Sequence, residues 1–407
     1  MSHEQYHVPE AELALRWNRC RALLREQAPE AGGLLVFSRV NIFYLTGTLA
    51  SGVFWLPLEG DPVLLCRRGL ERAALESAVP VKLEFKSYGQ MEALLREAGS
   101  PLVGVVAVET GGLTWQLGDL LQRKLPEAHF VPGDTVLGLV RSKKSEWELE
   151  ILRRCGALHH ECLHELLPPL LHPGMSERDV AHRAWEVFYS KGHMGLMRMG
   201  AYGEEIFLGH VSVGDSGDYS SAFNGPLGVR GEHPAIPYMG CAGRIWEHGE
   251  PLVCDIGFSL EGYVTDKTQV YWPGPLSTLP SAVRKAHSFC MDVQAWLAEH
   301  MVPGAVPSDL YAHCLHMARE AGMEEGFMGR GRNKVAFVGH GIGLTIDGWP
   351  VIARGFDRPL ETGMVLALEP KQSVPGIGMV GVENTFEVTP GGACSITGDQ
   401  YEILPAS

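Results

Sequence analysis

No stretch of this sequence reaches the run of about 18 apolar residues that a membrane-crossing helix needs, and Met1 to Glu10 carries charges and histidine instead of an apolar segment. The expectation is a soluble chain without an export signal, with no membrane partner. Basic residues are in the minority, 34 Lys and Arg against 48 Asp and Glu, for a formal net charge of −14. Basic clusters are short as well, so nucleic acid and anionic lipid find little positive field to draw them in. No Cys-x-x-Cys pair occurs; nine cysteines are scattered singly, and their odd number fits free thiols in a reducing cytoplasm. Internal repeats, low-complexity tracts and a glycine-rich phosphate loop are also missing, which disfavours nucleotide chemistry.

What is present is bulk: 407 residues, 45% of them hydrophobic, enough to bury a large core and more than one domain usually holds. Apolar residues recur among charges from Ala11 to Gln27 as on an amphipathic helix, and Gly32-Gly33 breaks into the apolar run Leu34 to Phe37. Val53 to Pro57 and Pro62 to Cys66 flank Gly60-Asp61 like a hairpin, and a helical segment near Met91 to Ala98 precedes strand-like Leu102 to Val108. The first part reads as α/β. Val140 to Lys144 is a basic connector, and Ser145 to Glu148 has the form of a capping box opening a long helix from Glu146 toward Leu167. The expected domains are therefore 1–144 and 145–407. Prolines 168, 169 and 173 end that helix, and Ser176 to Asp179 caps another running toward Lys191. A Gly- and Pro-rich stretch follows as far as Gly249, then strands alternate with helices near Ser281 to His300 and Ser308 to Ala321. This second part reads as α+β.

Its acids stand in strand-like contexts. Asp255 lies in Leu252-Val253-Cys254-Asp255-Ile256-Gly257 and Asp266 eleven positions on, and a turn at Glu261-Gly262 would bring both carboxylates to one end of a hairpin. Carboxylates so paired repel unless a cation neutralises them. His340 stands between glycines in Gly339-His340-Gly341-Ile342-Gly343, where backbone can approach the imidazole closely. Glu369, before Pro370, and Glu383, before Asn384-Thr385, each adjoin an apolar run. Four carboxylates and one imidazole carry a formal charge near −4, which two divalent ions would offset; manganese is the first expectation, with cobalt, iron and zinc as alternatives. Lys371 stands two residues from Glu369 and can neutralise local acid.

This order of motifs resembles the five-ligand signature of the pita-bread metallopeptidase family, which holds aminopeptidase P, prolidase, methionine aminopeptidase and creatinase. Asn41-Ile42-Phe43-Tyr44-Leu45-Thr46-Gly47 resembles the family's N-terminal domain, and Arg141-Ser142-Lys143-Lys144-Ser145-Glu146 its domain junction. The resemblance implies a smaller N-terminal α/β domain beside an α+β pita-bread catalytic domain. In it Asp255 would chelate one ion, Asp266 and Glu383 would bridge two, and His340 and Glu369 would hold the other. Glu369 would also take the proton of the attacking water, in a metal-hydroxide attack on an Xaa-Pro peptide bond. A homodimer and a peptide or small-molecule substrate follow from the same resemblance.

Three positions depart from the family's pattern. Where many peptidases have His-Glu-x-Pro, this chain has Asp347-Gly348-Trp349-Pro350, and a carboxylate at Asp347 donates to an oxyanion only when protonated. Prolidases often carry an arginine where Gly381 stands. The family's histidine upstream of the first metal Asp is matched without gaps by Tyr238, 17 positions before Asp255, with His233 and His248 nearby; a phenol still donates one hydrogen bond. These departures keep two other readings open: a creatinase-like hydrolase or lyase acting on a small metabolite, and a binding protein that has lost the reaction.

Overall fold

Helix Glu10–Gln27 forms where apolar residues recur at helical spacing: Leu13, Trp17, Cys20 and Leu24 are buried. A computed structural model describes residues 7–406 apart from 103 and 333. The strand after this helix, Ala31–Val36, starts three residues earlier than the sequence suggests, because Gly32-Gly33 lies within it and does not break before it. A Cβ on Gly33 would come within 2.3 Å of the Trp55 ring on the neighbouring strand, so glycine is there for close approach. The hairpin Ser51–Pro57 and Val63–Arg68 pairs as expected. Six strands form one mixed sheet in the order 81–84, 63–68, 51–57, 31–36, 105–108, 129–132. Of the run expected from Leu102, residue 103 lies outside the described residues and the strand begins at Val105.

The chain divides into two compact units between Arg141 and Ser142. In the second, Ser145 caps helix Glu146–His160 reciprocally with Glu148, and Ser176 caps Glu177–Ser190 with Asp179. The first of these continues to Leu166 as a widened turn, close to the expected end. Both helices pack on a four-stranded sheet ordered 404–406, 263–273, 252–260, 209–213, around Phe188, Phe258, Leu163 and Trp246. Truncating Phe258 to alanine there would cost about 3–5 kcal/mol. Helices Ser281–His300 and Pro307–Glu320 cover a five-stranded sheet ordered 348–353, 337–341, 365–368, 384–389, 392–395.

The hairpin Leu252–Leu260 and Tyr263–Pro273 closes through Glu261 and Gly262, both at positive φ (53° and 86°), the turn the sequence predicts. Strand Gly209–Val213, inside the Gly- and Pro-rich stretch, is an addition to the sequence reading. Thr268 of the hairpin bridges Glu383 at the end of the five-stranded sheet, with Thr268 N donating to Glu383 O at 3.1 Å.

Candidate metal centre

Strand register decides which side chains meet. Asp255 pairs with Thr268 on one side and with His210 on the other, and Thr268 bridges Glu383. His210, Asp255 and Thr268 therefore form one row across three strands, which the bridge to Glu383 extends. Asp266 pairs with Gly257, two positions from the Asp255 row, so it shares the face of Thr268 and stands diagonal to Asp255. A one-residue slip would send both aspartates to the other face. His340 comes from strand Phe337–Gly341, and Glu369 directly follows strand Val365–Leu368, its N–H donating to Val338 O at 3.0 Å. A Cβ on Gly341 would come within 2.0 Å of Trp349 O, and one on Gly339 within 2.6 Å of Ala367 O. Side chains flanking His340 would force the strands apart.

The five predicted ligands thus converge. His340 Nε2 lies 3.4 Å from Glu369 Oε1 and 3.8 Å from Glu383 Oε1. Its Nδ1 is 3.3 Å from the Gly341 carbonyl, which accepts from a protonated nitrogen and so leaves the lone pair on Nε2, facing the glutamates. Asp266, His340 and Glu383, all buried, can offer ligand atoms that lie within 4.8 Å of one another. Asp255 faces the Lys371 ammonium at 3.3 Å.

The electrostatics express crowding. Burial, with Asp255 adding to it, pushes Asp266 up to about 7. Burial likewise pushes Glu369 up to about 7 against the pull of Lys371. Glu383 is carried well above the usual carboxylate range, by burial first and Asp266 next. Asp255 differs: burial raises it, but Lys371 and a hydrogen bond with Glu383 hold it below its ordinary value.

Residues 150–390 match metallopeptidase family M24, and residues 16–143 match the creatinase/prolidase N-terminal domain. The chain belongs to metallopeptidase family M24. It is 28% identical over 402 residues to the probable dipeptidase PepE of Mycobacterium tuberculosis, covering 94% of this chain and 95% of that one. It is 26% identical over 367 residues to an Xaa-Pro dipeptidase of Pyrococcus furiosus, covering 90% and 93%. The crystal structure of dipeptidase PepE from Mycobacterium ulcerans superposes with a TM-score of 0.77 at 25% identity, covering 98% and 99%. The X-Pro aminopeptidase of Thermotoga maritima shares the fold, with a TM-score of 0.75 at 20% identity over 96% and 99%. This M24 metallopeptidase therefore has the pita-bread fold with an N-terminal domain, as its motifs imply.

Against the M24 pattern, the departing residues fall as follows. The Asp347 carboxylate accepts from Gly200 N and is near enough to Glu369 to raise it slightly. Trp349 is exposed and meets Phe356 edge to face. Tyr238 packs its ring on Phe223, which packs in turn on His210. His210, absent from the sequence reading, is the imidazole beside Asp255. It is buried, its Nε2 lies 2.8 Å from Ser221 Oγ, and burial lowers it to about 4, so it is neutral at pH 7. The alternation of Val211 and Val213 with His210 and Ser212 is the signal that could have found it. His233 and His248 belong to other contacts: His233 Nδ1 accepts from Ala235 N, and His248 is exposed.

Proposed function

We propose that the chain is a metal-dependent dipeptidase that cleaves Xaa-Pro bonds, with residues 145–407 as its catalytic part. The observation that carries this reading is the meeting of Asp255 with the buried Asp266, His340, Glu369 and Glu383 in one cluster on an M24 frame, alongside the named relatives. The donor set fits a divalent ion, since Asp266, His340 and Glu383 offer oxygen and nitrogen atoms close enough to share one. Such mixed ligands suit manganese, cobalt, iron or zinc. When bound, the ion polarises the scissile carbonyl and makes water acidic enough to react near neutral pH.

The chain's own residues do the rest. Glu369, buried beside His340, accepts a proton at a carboxylate oxygen and returns it to the leaving amine. Neutral His210 supplies an N–H beside Asp255, the part the sequence reading gave to Tyr238. Asp347, anchored by Gly200, acts as an acceptor for an N–H or cationic group of the substrate. The nine free thiols, seven of them buried, support a reducing compartment such as the cytoplasm. Among the described residues no helix is long and apolar enough to cross a membrane.

A second reading, hydrolysis or lysis of a small metabolite, is favoured by Gly381. A Cβ there would come within 2.5 Å of Pro370 O and 2.6 Å of Lys371 Cα, which leaves no room for the arginine that would hold a dipeptide's carboxylate. The test is amino-acid release from Xaa-Pro dipeptides and longer Xaa-Pro-Yaa peptides by protein stripped of metal and reloaded with manganese. Release that requires metal and disappears in His340→Ala supports the peptidase. Intact peptides in the presence of bound metal would move the assignment to the metabolite reading.

A further inference from the structure

The cluster carries a cation of its own. Lys371 Nζ lies 2.7 Å from Glu383 Oε2, 3.3 Å from Asp255 Oδ2 and 3.4 Å from Glu369 Oε2, on a side chain only 1% exposed. Each glutamate turns its other oxygen, Oε1, to His340 Nε2, at 3.8 Å for Glu383 and 3.4 Å for Glu369. Both glutamates therefore bridge two positions for positive charge. One is filled by the ammonium; the other is the group of Asp266, His340 and Glu383.

We propose that Lys371 takes the place of one of the two ions, so that the chain holds a single divalent ion at Asp266, His340, Glu369 and Glu383, with the ammonium as the second positive charge. The inference rests on the metal-dependent reading above and deepens it. A second ion on Asp255 and Glu383 would need their oxygens at about 2.0–2.2 Å. That point coincides with the space of the Nζ already in contact with both, and two cations cannot share it.

The ammonium is also held in place. Lys371 opens strand Lys371–Val374, is paired with Gly381, and is buried, so it has no solvent to swing into. Gly381, at φ 145°, supplies the space: a Cβ there would press on Lys371 Cγ at 3.1 Å as well as on its Cα. The stem of Lys371 thus occupies the room that a side chain at 381 would take. The chemical consequence is that Asp255 serves the ammonium. An ammonium neutralises carboxylates but offers no open coordination position, so water and substrate oxygen must be handled at the imidazole side.

The test is a count. Protein stripped with chelator and reloaded with manganese is analysed for ions per chain and by electron paramagnetic resonance. The expected result is one manganese per chain with the spectrum of an isolated ion. Lys371→Met, which keeps the apolar stem and removes the charge, should take up a second ion and show a spin-coupled spectrum. Two coupled ions in the unaltered protein, or a count still at one in Lys371→Met, would overturn the proposal. Should Lys371→Met not fold, Asp255→Asn decides: the count stays at one if Asp255 serves the ammonium, and a tenfold or greater loss of manganese affinity means that Asp255 is a ligand. No uptake by the unaltered protein would sink the metal reading and this inference with it. One bound ion without Xaa-Pro cleavage would remove the substrate assignment and leave the role of Lys371 standing.

Discussion

Both units bury glutamates, and they do so in opposite ways. In the N-terminal unit Glu109 receives Phe37 N and Ser38 N at 2.7 Å each and Asn41 Nδ2 at 2.6 Å. Neutral donors surround it, and its charge helps hold the start of helix Arg39–Thr46 to the sheet. In the C-terminal unit Glu369 and Glu383 face other acids, one imidazole lone pair and one ammonium. Burial alone does not separate a structural acid from a working one. What separates them is whether the surrounding donors already satisfy the charge or leave it for a cation to complete.

The largest expected effect tests the incomplete side. His340→Ala removes the one nitrogen of the proposed ligand set, and kcat/KM on an Xaa-Pro dipeptide should fall by about 1,000-fold with loss of bound manganese. Activity within tenfold of the unaltered protein would mean the cluster is not the reaction centre. The satisfied side is tested by Glu109→Ala, which orphans three donors and should destabilise the N-terminal unit by about 3 kcal/mol in urea unfolding. Manganese per chain should not change. A change in the count would mean the two classes of acid are not separable by their partners.

A third effect follows from the forced protonation. Asp266 and Glu369 lie at about 7 in the metal-free fold, above their ordinary values of 3.8 and 4.5. Acids raised in this way bind more protons folded than unfolded, so their stabilisation is complete below about pH 4 and is lost as pH climbs through about 7. Glu369→Gln should therefore flatten the pH dependence of metal-free stability. The difference between the two proteins should change by on the order of 2 kcal/mol between pH 5 and 8. Parallel curves would mean that Glu369 ionises freely in the fold.

These contrasts were unevenly legible in the sequence. The hairpin turn at Glu261-Gly262, the capping boxes at Ser145 and Ser176 and the glycines beside His340 are local signals, and each forms as read. The convergence of the four acids and the imidazole depends on register between positions up to 128 residues apart, and only the family's ordering of motifs supplied it. His210 was hidden because its five-residue strand sits among glycines, where a turn is the ordinary reading. Lys371 was noticed as a neighbour of Glu369 in sequence, yet its contact with Asp255 comes from a different sheet. Likewise Asn41 was singled out by resemblance alone, and the structure supplies its reason: it holds Glu109.

The smallest effect sharpens the comparison most, because it moves a satisfied acid into the unit that holds the cluster. Glu148 is buried there, accepting Ser145 N at 3.0 Å and the Tyr263 hydroxyl at 2.9 Å. By partner chemistry it belongs with Glu109; by location it belongs with Glu369. Glu148→Gln keeps the shape and replaces one acceptor oxygen by an NH2 group that faces a donor, so a loss of about 1 kcal/mol in unfolding free energy is expected. Manganese content and kcat/KM should stay within twofold. If the variant instead lost metal, location would be the better guide, and the row of donors around Glu148 would have to be counted as part of the centre.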